Sequence, residues 1–127
     1  VRRFNWTMTV DPLLDTSPEN YHKWGPTKTT LNMDNIGNRQ HLRVELQTLH
    51  RLPRSNAIAF PIRAYLIKFE ELVTVPKWAR RLHRVVRDVH PDLATYKGFI
   101  RNRDLMVQYL SQFDDGAPTS PGWWPED

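Results

Sequence analysis

The sequence of 127 residues contains no cysteine and only five glycines, beside ten prolines. The absence of cysteine excludes disulfides, thiolate zinc sites, iron–sulfur clusters and cysteine nucleophiles made by these residues. The few glycines form no Gly-rich loop that could cradle a phosphate. No apolar run approaches the roughly 20 residues that a membrane-spanning helix needs, so we expect no membrane partner and a cytoplasmic location.

The five histidines are scattered along the chain, and no two of them have the spacing that places two imidazoles on one metal ion. We therefore predict no metal site built by this chain alone, although one histidine is enough for an axial bond to haem iron. The sequence also has neither a G-x-S-x-G nor an S-x-x-K motif, so a hydrolase with a serine nucleophile has no motif support.

The formal net charge is +4, and much of the positive charge lies in residues 77–87. On this stretch Trp78, Leu82, Val85 and Val89 recur at helical spacing, with arginines on the other faces. The arginines could contact phosphates, and Trp78 could stack on a base. A solvated basic face above an apolar seam explains the same residues with fewer assumptions, because Trp78 falls on the seam. We favour this second interpretation and expect no nucleic-acid partner.

Apolar and polar residues alternate at about 3–10 and 41–52, which predicts strands there, and the largely apolar segment at about 56–69 predicts a third strand. The sequence LPRSN joins the last two, so an antiparallel hairpin is the simplest connection. Helical spacing then predicts two helices, at about 77–89 and 103–113. An antiparallel sheet that is followed by helices indicates an α+β fold.

Two further segments match neither a strand nor a long helix. Residues 11–40 are rich in Pro, Asn, Asp and Thr without a lasting period, which predicts a long ordered loop. Residues 114–127 are predicted to be a C-terminal tail, with Trp123 and Trp124 docking elsewhere on the molecule. The chain begins almost directly in its first predicted strand, and we expect that upstream material belongs to the same domain.

The strand at 41–52 places Arg43, Glu45 and Gln47 on one face and apolar residues on the other, because side chains alternate across a strand. The simpler interpretation is a half-buried sheet with a solvated outer face. The next predicted strand, however, is apolar on both faces, which indicates cover on both sides. The polar face is therefore also a candidate pocket wall, where a few charges act strongly at low dielectric.

Three segments of the sequence form a recognisable set. They are FNWTMTVDP at 4–12, LRVELQTLHRLPRSNAIAFPIRAYL at 42–66 and YKG at 96–98. This set resembles the family of haem-dependent oxidative N-demethylases, and the similarity extends more weakly over about residues 3–113. The leucine at position 46, where bacterial members have arginine, is similar to fungal-type members.

The resemblance implies a Per-ARNT-Sim-like fold that carries haem b. The best-known members oxidise dimethylamine to methylamine and formaldehyde with O2 and electrons from NADPH, and their partner subunits carry flavin, an iron–sulfur cluster and folate. In this family the domain begins upstream of its Asn-Trp element, and the expected histidine ligand lies in that upstream part. Residues 1–113 are thus expected to be the C-terminal part of one haem-binding domain, with the proximal haem ligand outside this chain.

On this resemblance we favour part of an oxidoreductase, with the strand at 41–52 as one wall of the haem pocket. The candidate catalytic residues are Arg43, Glu45 and Gln47. Arg43 would supply positive potential for bound oxygen, and Glu45 would hold Arg43 or a protonated amine. The candidate haem contacts are Phe60, Ile62 and Tyr65. The expected partners are haem, a small amine, O2, the missing N-terminal half and a reductase; a non-catalytic haem or small-ligand sensor is the alternative.

Overall fold

The computed structural model describes residues 1–119 of the chain, and the predicted docking of Trp123 and Trp124 lies outside the described residues. The strands are β1 Arg2–Val10, β2 Gln40–Thr48, β3 His50–Arg51, β4 Ile58–Ala59 and β5 Ile62–Lys68. The α-helices are α1 Tyr21–Trp24, α2 Ile36–Arg39, α3 Phe69–Leu72, α4 Pro76–Asp88, α5 Pro91–Tyr96 and α6 Arg103–Ser111. Short 3-10 turns span Pro18–Asn20, Gly25–Thr30 and Ile100–Asn102. An antiparallel sheet followed by helices confirms the predicted α+β class.

The main sheet has the order β1-β2-β5, and both of its pairings are antiparallel. In its register Glu45 lies opposite Asn5 on β1 and opposite Ala64 on β5. Residues directly opposite each other in an antiparallel pair project from the same face of the sheet. This register therefore assigns every side chain of the three strands to one of two faces.

The predicted strands at 41–52 and 56–69 are each interrupted. The strand predicted at 41–52 ends at Thr48, and His50 and Arg51, which the prediction included in it, belong to a separate small hairpin of β3 and β4. Pro61 separates β4 from β5, because proline has no backbone N–H to donate to a ladder. At the tip of the small hairpin Asn56 has a φ of 61°, a conformation that asparagine tolerates better than most residues. The antiparallel connection between these segments was thus predicted correctly. The sequence predicted one continuous pairing, whereas the structure has two, β2 with β5 and β3 with β4.

The two long helices lie where helical spacing predicted them, with α4 and α6 differing from the predicted bounds by one or two residues. The predicted loop at 11–40 contains helical turns that the sequence pattern did not indicate. Two of the short turns begin with Pro18 or Gly25-Pro26, where proline's fixed φ suits the first helical positions. Turns of three to six residues are too short to show an apolar period, so only their prolines could have signalled them.

The hydrophobic core lies between one face of the sheet and helices α3, α4 and α6. Its fully buried members are Ile36, Phe69, Val86, Ala94 and Leu110. The partly buried residues packed against them include Trp6, Leu42 and Ile67 of the sheet. Burial of these side chains is the main stabilising term of the fold, at about 1.5–3 kcal/mol for each large one.

Helix α4 is rotated relative to the predicted apolar seam. Ala79, Leu82 and Val86 are buried, whereas Trp78 and Val85 are nearly half exposed. The predicted apolar seam was based on the large side chains, and it did not include the small residue Ala79. Trp78 therefore lies at the margin of the core and not on the centre of the seam.

The basic side of α4 is not the solvated face that the sequence predicted. Arg80 is only 9% exposed, and its Nη1 donates to both carboxylate oxygens of Asp115 at 3.0 Å. Arg84 donates from Nε and Nη2 to Asp114 at 3.1 and 3.0 Å. The first part of the predicted tail is therefore fastened to α4 by ion pairs.

Among the helices within residues 1–119, none has the length and apolar character required to cross a bilayer.

Candidate functional site

The polar face of the sheet is the side that carries the three predicted catalytic residues. By the register it contains Arg3, Asn5, Thr7 and Thr9 of β1, His41, Arg43, Glu45 and Gln47 of β2, and Ile62, Ala64, Leu66 and Lys68 of β5. The opposite face, which packs on the helices, carries Trp6, Leu42 and Ile67. The alternation in the sequence thus separates a charged surface from the core within one strand.

Arg43 joins the polar face to the segment that follows β1. Its Nε donates to Glu45 Oε1 at 3.1 Å, and its Nη1 donates to the carbonyl oxygens of Leu13 and Leu14 at 3.1 and 3.0 Å. The residue is only 8% exposed. A guanidinium suits this position because its rigid fork of donors can serve several acceptors at once.

The segment over Arg43 is turned at Asp11, which has a φ of 65°. Arg39 donates from Nε and Nη2 to the two carboxylate oxygens of Asp11 at 2.9 and 2.8 Å. The backbone N–H of Asp11 also donates to the Arg39 carbonyl at 2.7 Å. This bidentate pair joins the residue after β1 to the residue before β2, and the carbonyls of Leu13 and Leu14 follow Asp11 along the chain.

Glu45 occupies the centre of the polar face and is held by three donors. Gln47 Nε2 donates to its Oε2 at 3.1 Å, and Arg43 binds its other oxygen. Burial raises the pKa of Glu45, but the hydrogen bonds from Arg43, Gln47 and Asn5 outweigh it and leave that pKa below its ordinary value. The carboxylate is therefore ionised at neutral pH, at a position where its side chain is 17% exposed.

Gln47 extends the same row by one more contact. Its Oε1 accepts a hydrogen bond from Arg3 Nε at 2.6 Å, and the residue is 6% exposed. Arg43, Glu45, Gln47 and Arg3 thus form one continuous chain of hydrogen bonds, which we call the polar row. The structure brings the three predicted catalytic residues together, and their roles stay predictions.

On this face β5 contributes three apolar side chains before Lys68. Ile62, Ala64 and Leu66 lie opposite Gln47, Glu45 and Arg43, respectively. Ala64 has only a methyl group beside the Glu45 carboxylate, so it leaves more room there than a larger residue would. A charged row beside an apolar stripe can orient a small cation and contact an apolar ring at the same time.

The three predicted haem contacts do not share one surface. Phe60 lines a cavity of about 300 Å³ together with Arg3 and Gln47. Ile62 projects from the polar face, whereas Tyr65 lies opposite Val44 and projects from the other face. Each of Phe60, Ile62 and Tyr65 is about half exposed. Phe60 and Ile62 are therefore close to the polar row, and Tyr65 is separated from it by the sheet.

A larger cavity of about 580 Å³ lies on the opposite side of the sheet, under α4. It is lined by Phe4, Asn5, Trp6, Leu42, Val44, Ile67, Leu72, Trp78, Arg81, Leu82 and Val85. Sequence reasoning assigned Trp6, Trp78 and Val85 to packed elements and so did not anticipate a cavity between them. The polar row and this apolar cavity are on different faces of the sheet, although Asn5 of the polar face also contributes to the cavity lining.

Lys97 is a residue of the site that sequence reasoning missed. Its Nζ donates to Asn5 Oδ1 at 2.7 Å and to the Trp6 carbonyl at 2.9 Å, and it lies 4.9 Å from the Trp6 ring centroid. Gly98 follows with a φ of 81°, which ends α5 and turns the chain. The ring of Phe99 packs against that of Trp6, with 5.8 Å between the ring centroids. The sequence offered no signal for this contact beyond the presence of Lys97 in the YKG segment, because no period relates it to Asn5.

The described residues fit haem as an apolar wall. Haem needs apolar surface for its ring and an axial side chain for its iron, and the β5 stripe with Phe60 supplies such a surface. Residues 1–119 contain no cluster of three or more histidine or acidic side chains arranged to hold a metal ion. His41 is buried on the polar face with Nδ1 2.8 Å from the Arg39 carbonyl, and His83 is held by Asp114.

A comparison with protein-family models gives a match over residues 1–107. The matching model is described as "Haem-dependent oxidative N-demethylase, alpha subunit-like". The matched range includes the polar row, the three predicted haem contacts and Lys97. It confirms the family that the sequence segments resembled.

Proposed function

Since the chain belongs to the haem-dependent oxidative N-demethylase, alpha subunit-like family, we propose that it forms one wall of a haem pocket in which a small amine is oxidatively demethylated with O2. The observation that carries this proposal is the ionised Glu45, held by Arg43 and Gln47 beside an apolar stripe. A carboxylate of this kind recognises a cation, and the apolar stripe accepts the methyl groups and the cofactor ring.

Glu45 binds the substrate amine in this proposal. Small aliphatic amines are protonated at neutral pH, so an ionised carboxylate attracts and orients them. Gln47 and Arg43 each donate to a different oxygen of Glu45, which fixes the plane of the carboxylate. Ala64, directly opposite, leaves space for the methyl groups of the amine.

Arg43 supplies fixed positive charge on the same face. The hydrogen bonds of its guanidinium to Leu13, Leu14 and Glu45 hold it in place. A cation held in this way stabilises negative charge without reorganisation during the reaction. Haem, when bound, supplies the activation of O2.

In this arrangement Phe60 and Ile62 would contact the haem ring, whereas Tyr65 projects from the other face of the sheet. By the resemblance, the residue that would hold the haem iron lies outside this chain, and a reductase would supply the electrons. The exposed apolar residues Phe60 and Ile62 support this assignment, because apolar side chains half exposed side by side commonly mark a surface that a ligand or partner covers. The Per-ARNT-Sim-like topology and haem b remain predictions of the resemblance, and a cytoplasmic location remains a prediction from the sequence.

A second candidate function is a non-catalytic haem or small-ligand sensor. The 580 Å³ cavity favours it, because its lining is almost entirely apolar and includes two tryptophans. Such a cavity binds an apolar ligand by shape and burial, with little means of performing chemistry on it. In that case the polar row braces the segment after β1 and has no role in turnover.

One experiment separates the two functions. The intact protein is purified, its Soret absorption is recorded, and formaldehyde release from dimethylamine is measured with O2 and a chemical reductant. We expect Glu45→Gln to keep the Soret band and to lower formaldehyde release by about 100-fold or more, as expected for loss of a directed electrostatic contact. Glu19→Gln, at an exposed position, is the control. Normal turnover by Glu45→Gln contradicts the assignment, and a Soret band without formaldehyde from any small amine favours the sensor.

A further inference from the structure

Lys97 is linked to Glu45 through a single side chain, Asn5. The Lys97 ammonium donates a hydrogen bond to Asn5 Oδ1 at 2.7 Å. Asn5 lies directly opposite Glu45 in the register of β1 and β2. Because Lys97 binds the Asn5 oxygen, the Asn5 amide nitrogen is the group that faces Glu45 as a donor, since an ionised carboxylate only accepts hydrogen bonds. The lysine therefore sets which way the Asn5 amide points, and with it the donor that Glu45 receives.

The position of Lys97 is fixed from several sides. The Trp6 carbonyl accepts its second hydrogen bond, and the Trp6 ring lies under its charge. Gly98 holds the turn with a positive φ, and its carbonyl accepts a hydrogen bond from Lys28 Nζ at 2.9 Å. The contact between Lys97 and Asn5 thus joins residues that are 92 positions apart in the chain.

The charges around Glu45 come from three elements. Arg43 lies on β2, Arg3 lies on β1, and Lys97 lies at the end of α5, whereas β5 places the uncharged Ala64 opposite. Burial and the charge of Arg3 lower the pKa of Lys97, and the charge of Glu45 opposes them. The charge of Glu45 therefore acts on Lys97 at the other end of the link through Asn5.

We propose that Lys97 is a positioning residue that orients Glu45 for amine binding through Asn5. The inference rests on the proposed function for its catalytic meaning, but the Lys97–Asn5–Glu45 link can be tested without turnover. Removal of the ammonium frees the Asn5 amide to rotate and removes a positive charge near the carboxylate. Both changes weaken the donor to Glu45 and favour its protonated form.

The first measurement is the pKa of Glu45. It is obtained from an NMR titration of the intact protein labelled with ¹³C at the glutamate carboxyl, and the Glu45 signal is assigned by its absence in Glu45→Gln. We expect Lys97→Met to raise this pKa by about half a unit or more, and Asn5→Ala to do the same with Lys97 still present. Lys97→Arg keeps the charge and is expected to keep the pKa close to that of the unchanged protein. Lys28→Met is the matched control, because Lys28 binds the same turn without contacting Asn5.

A Glu45 pKa in Lys97→Met and Asn5→Ala that equals the value in Lys28→Met overturns the inference. In the activity assay we expect Lys97→Met to raise KM for dimethylamine about tenfold with a smaller change in kcat, because the substrate contact is misoriented. Lys97→Arg should restore KM. If the pKa shifts as expected but no variant, including the unchanged protein, releases formaldehyde, then the positioning link is retained and the proposed function is the part that fails.

Discussion

Asp114 Oδ2 lies 2.7 Å from His83 Nδ1, and this contact fastens the segment that follows α6 to the middle of α4. Arg84 binds the same carboxylate through two donors, and the backbone N–H of Gly116 donates to Oδ1 at 2.9 Å. The Asp114 side chain is 11% exposed. The basic helix is therefore matched by an acidic segment of the same chain, which changes how its charge should be interpreted.

Substitution of Asp114 tests how much this clamp stabilises the fold. We expect Asp114→Ala to lower the free energy of unfolding by about 2 kcal/mol, because charged hydrogen bonds are lost and Arg84 keeps a partly buried charge. The measurement is urea denaturation followed by circular dichroism at pH 7. Asp88→Ala is the control: Asp88 pairs with Arg87 at a solvent-exposed site, where ion pairs rarely change stability measurably. Equal stability of the two variants contradicts the clamp.

The same carboxylate predicts how stability depends on pH. Hydrogen bonds from His83 and Arg84 hold the pKa of Asp114 far below its usual value, so the unfolded chain binds the proton more readily than the folded one. This contribution is complete above the unfolded pKa of about 4 and is lost as the pH falls further. We expect the stability difference between the unchanged protein and Asp114→Asn to be constant from pH 5 to 7 and to shrink by about half or more near pH 3. A difference that grows on acidification contradicts this account.

The two faces of β2 could be predicted from the sequence because strand parity is a local property. Arg43, Glu45 and Gln47 alternate with apolar residues, and this alone places them on one face. The break at Pro61 could also have been predicted from its missing N–H, but the apolar run around it concealed the boundary. The same reasoning placed the ends of α4 within one or two residues.

The contacts that join distant parts of the chain could not be predicted in this way. Lys97 reaches Asn5 and Asp114 reaches His83 only after the helices have packed, and no period in the sequence relates these positions. Tyr65 was predicted together with Ile62 as a haem contact, although a spacing of three residues along a strand places them on opposite faces. The cavity under α4 depends on the rotation of that helix, which the small Ala79 decides.

The burial of Phe69 gives a test of where the core lies. Phe69 is completely buried between the sheet and α6, with Tyr109 stacked at 6.3 Å, whereas Phe60 is about half exposed. We expect Phe69→Ala to lower the free energy of unfolding by about 3–5 kcal/mol through lost burial and the cavity left behind. Phe60→Ala is expected to change it by less than about 1 kcal/mol, since little transfer from water is lost. Denaturant titration of both variants measures the difference, and similar losses would place the core elsewhere.

Arg43 can be tested for the part of its role that charge alone does not supply. Arg43→Lys keeps the positive charge, but one ammonium cannot replace a fork that serves Glu45 and two carbonyls. We expect hydrogen exchange across residues 12–17 to become about tenfold faster in Arg43→Lys, because local opening of this segment costs less free energy. Arg54→Lys, in the exposed hairpin tip, serves as the control. Unchanged exchange in Arg43→Lys would show that the segment is held by other contacts.

One pair of substitutions tests which face of the sheet binds haem. Ile62→Arg places a charge on the polar face at a half-exposed position, and Val44→Phe fills the cavity under α4. If haem lies on the polar face, Ile62→Arg weakens haem binding by about tenfold, because burial of an isoleucine side chain contributes roughly 1.5 kcal/mol or more. Val44→Phe then leaves the Soret band and the haem affinity unchanged. Haem titration of both variants of the intact protein, with thermal unfolding to verify their folding, gives the answer. The reverse result, loss of haem in Val44→Phe with normal binding by Ile62→Arg, would move the cofactor to the apolar cavity and remove Arg43 and Glu45 from the chemistry.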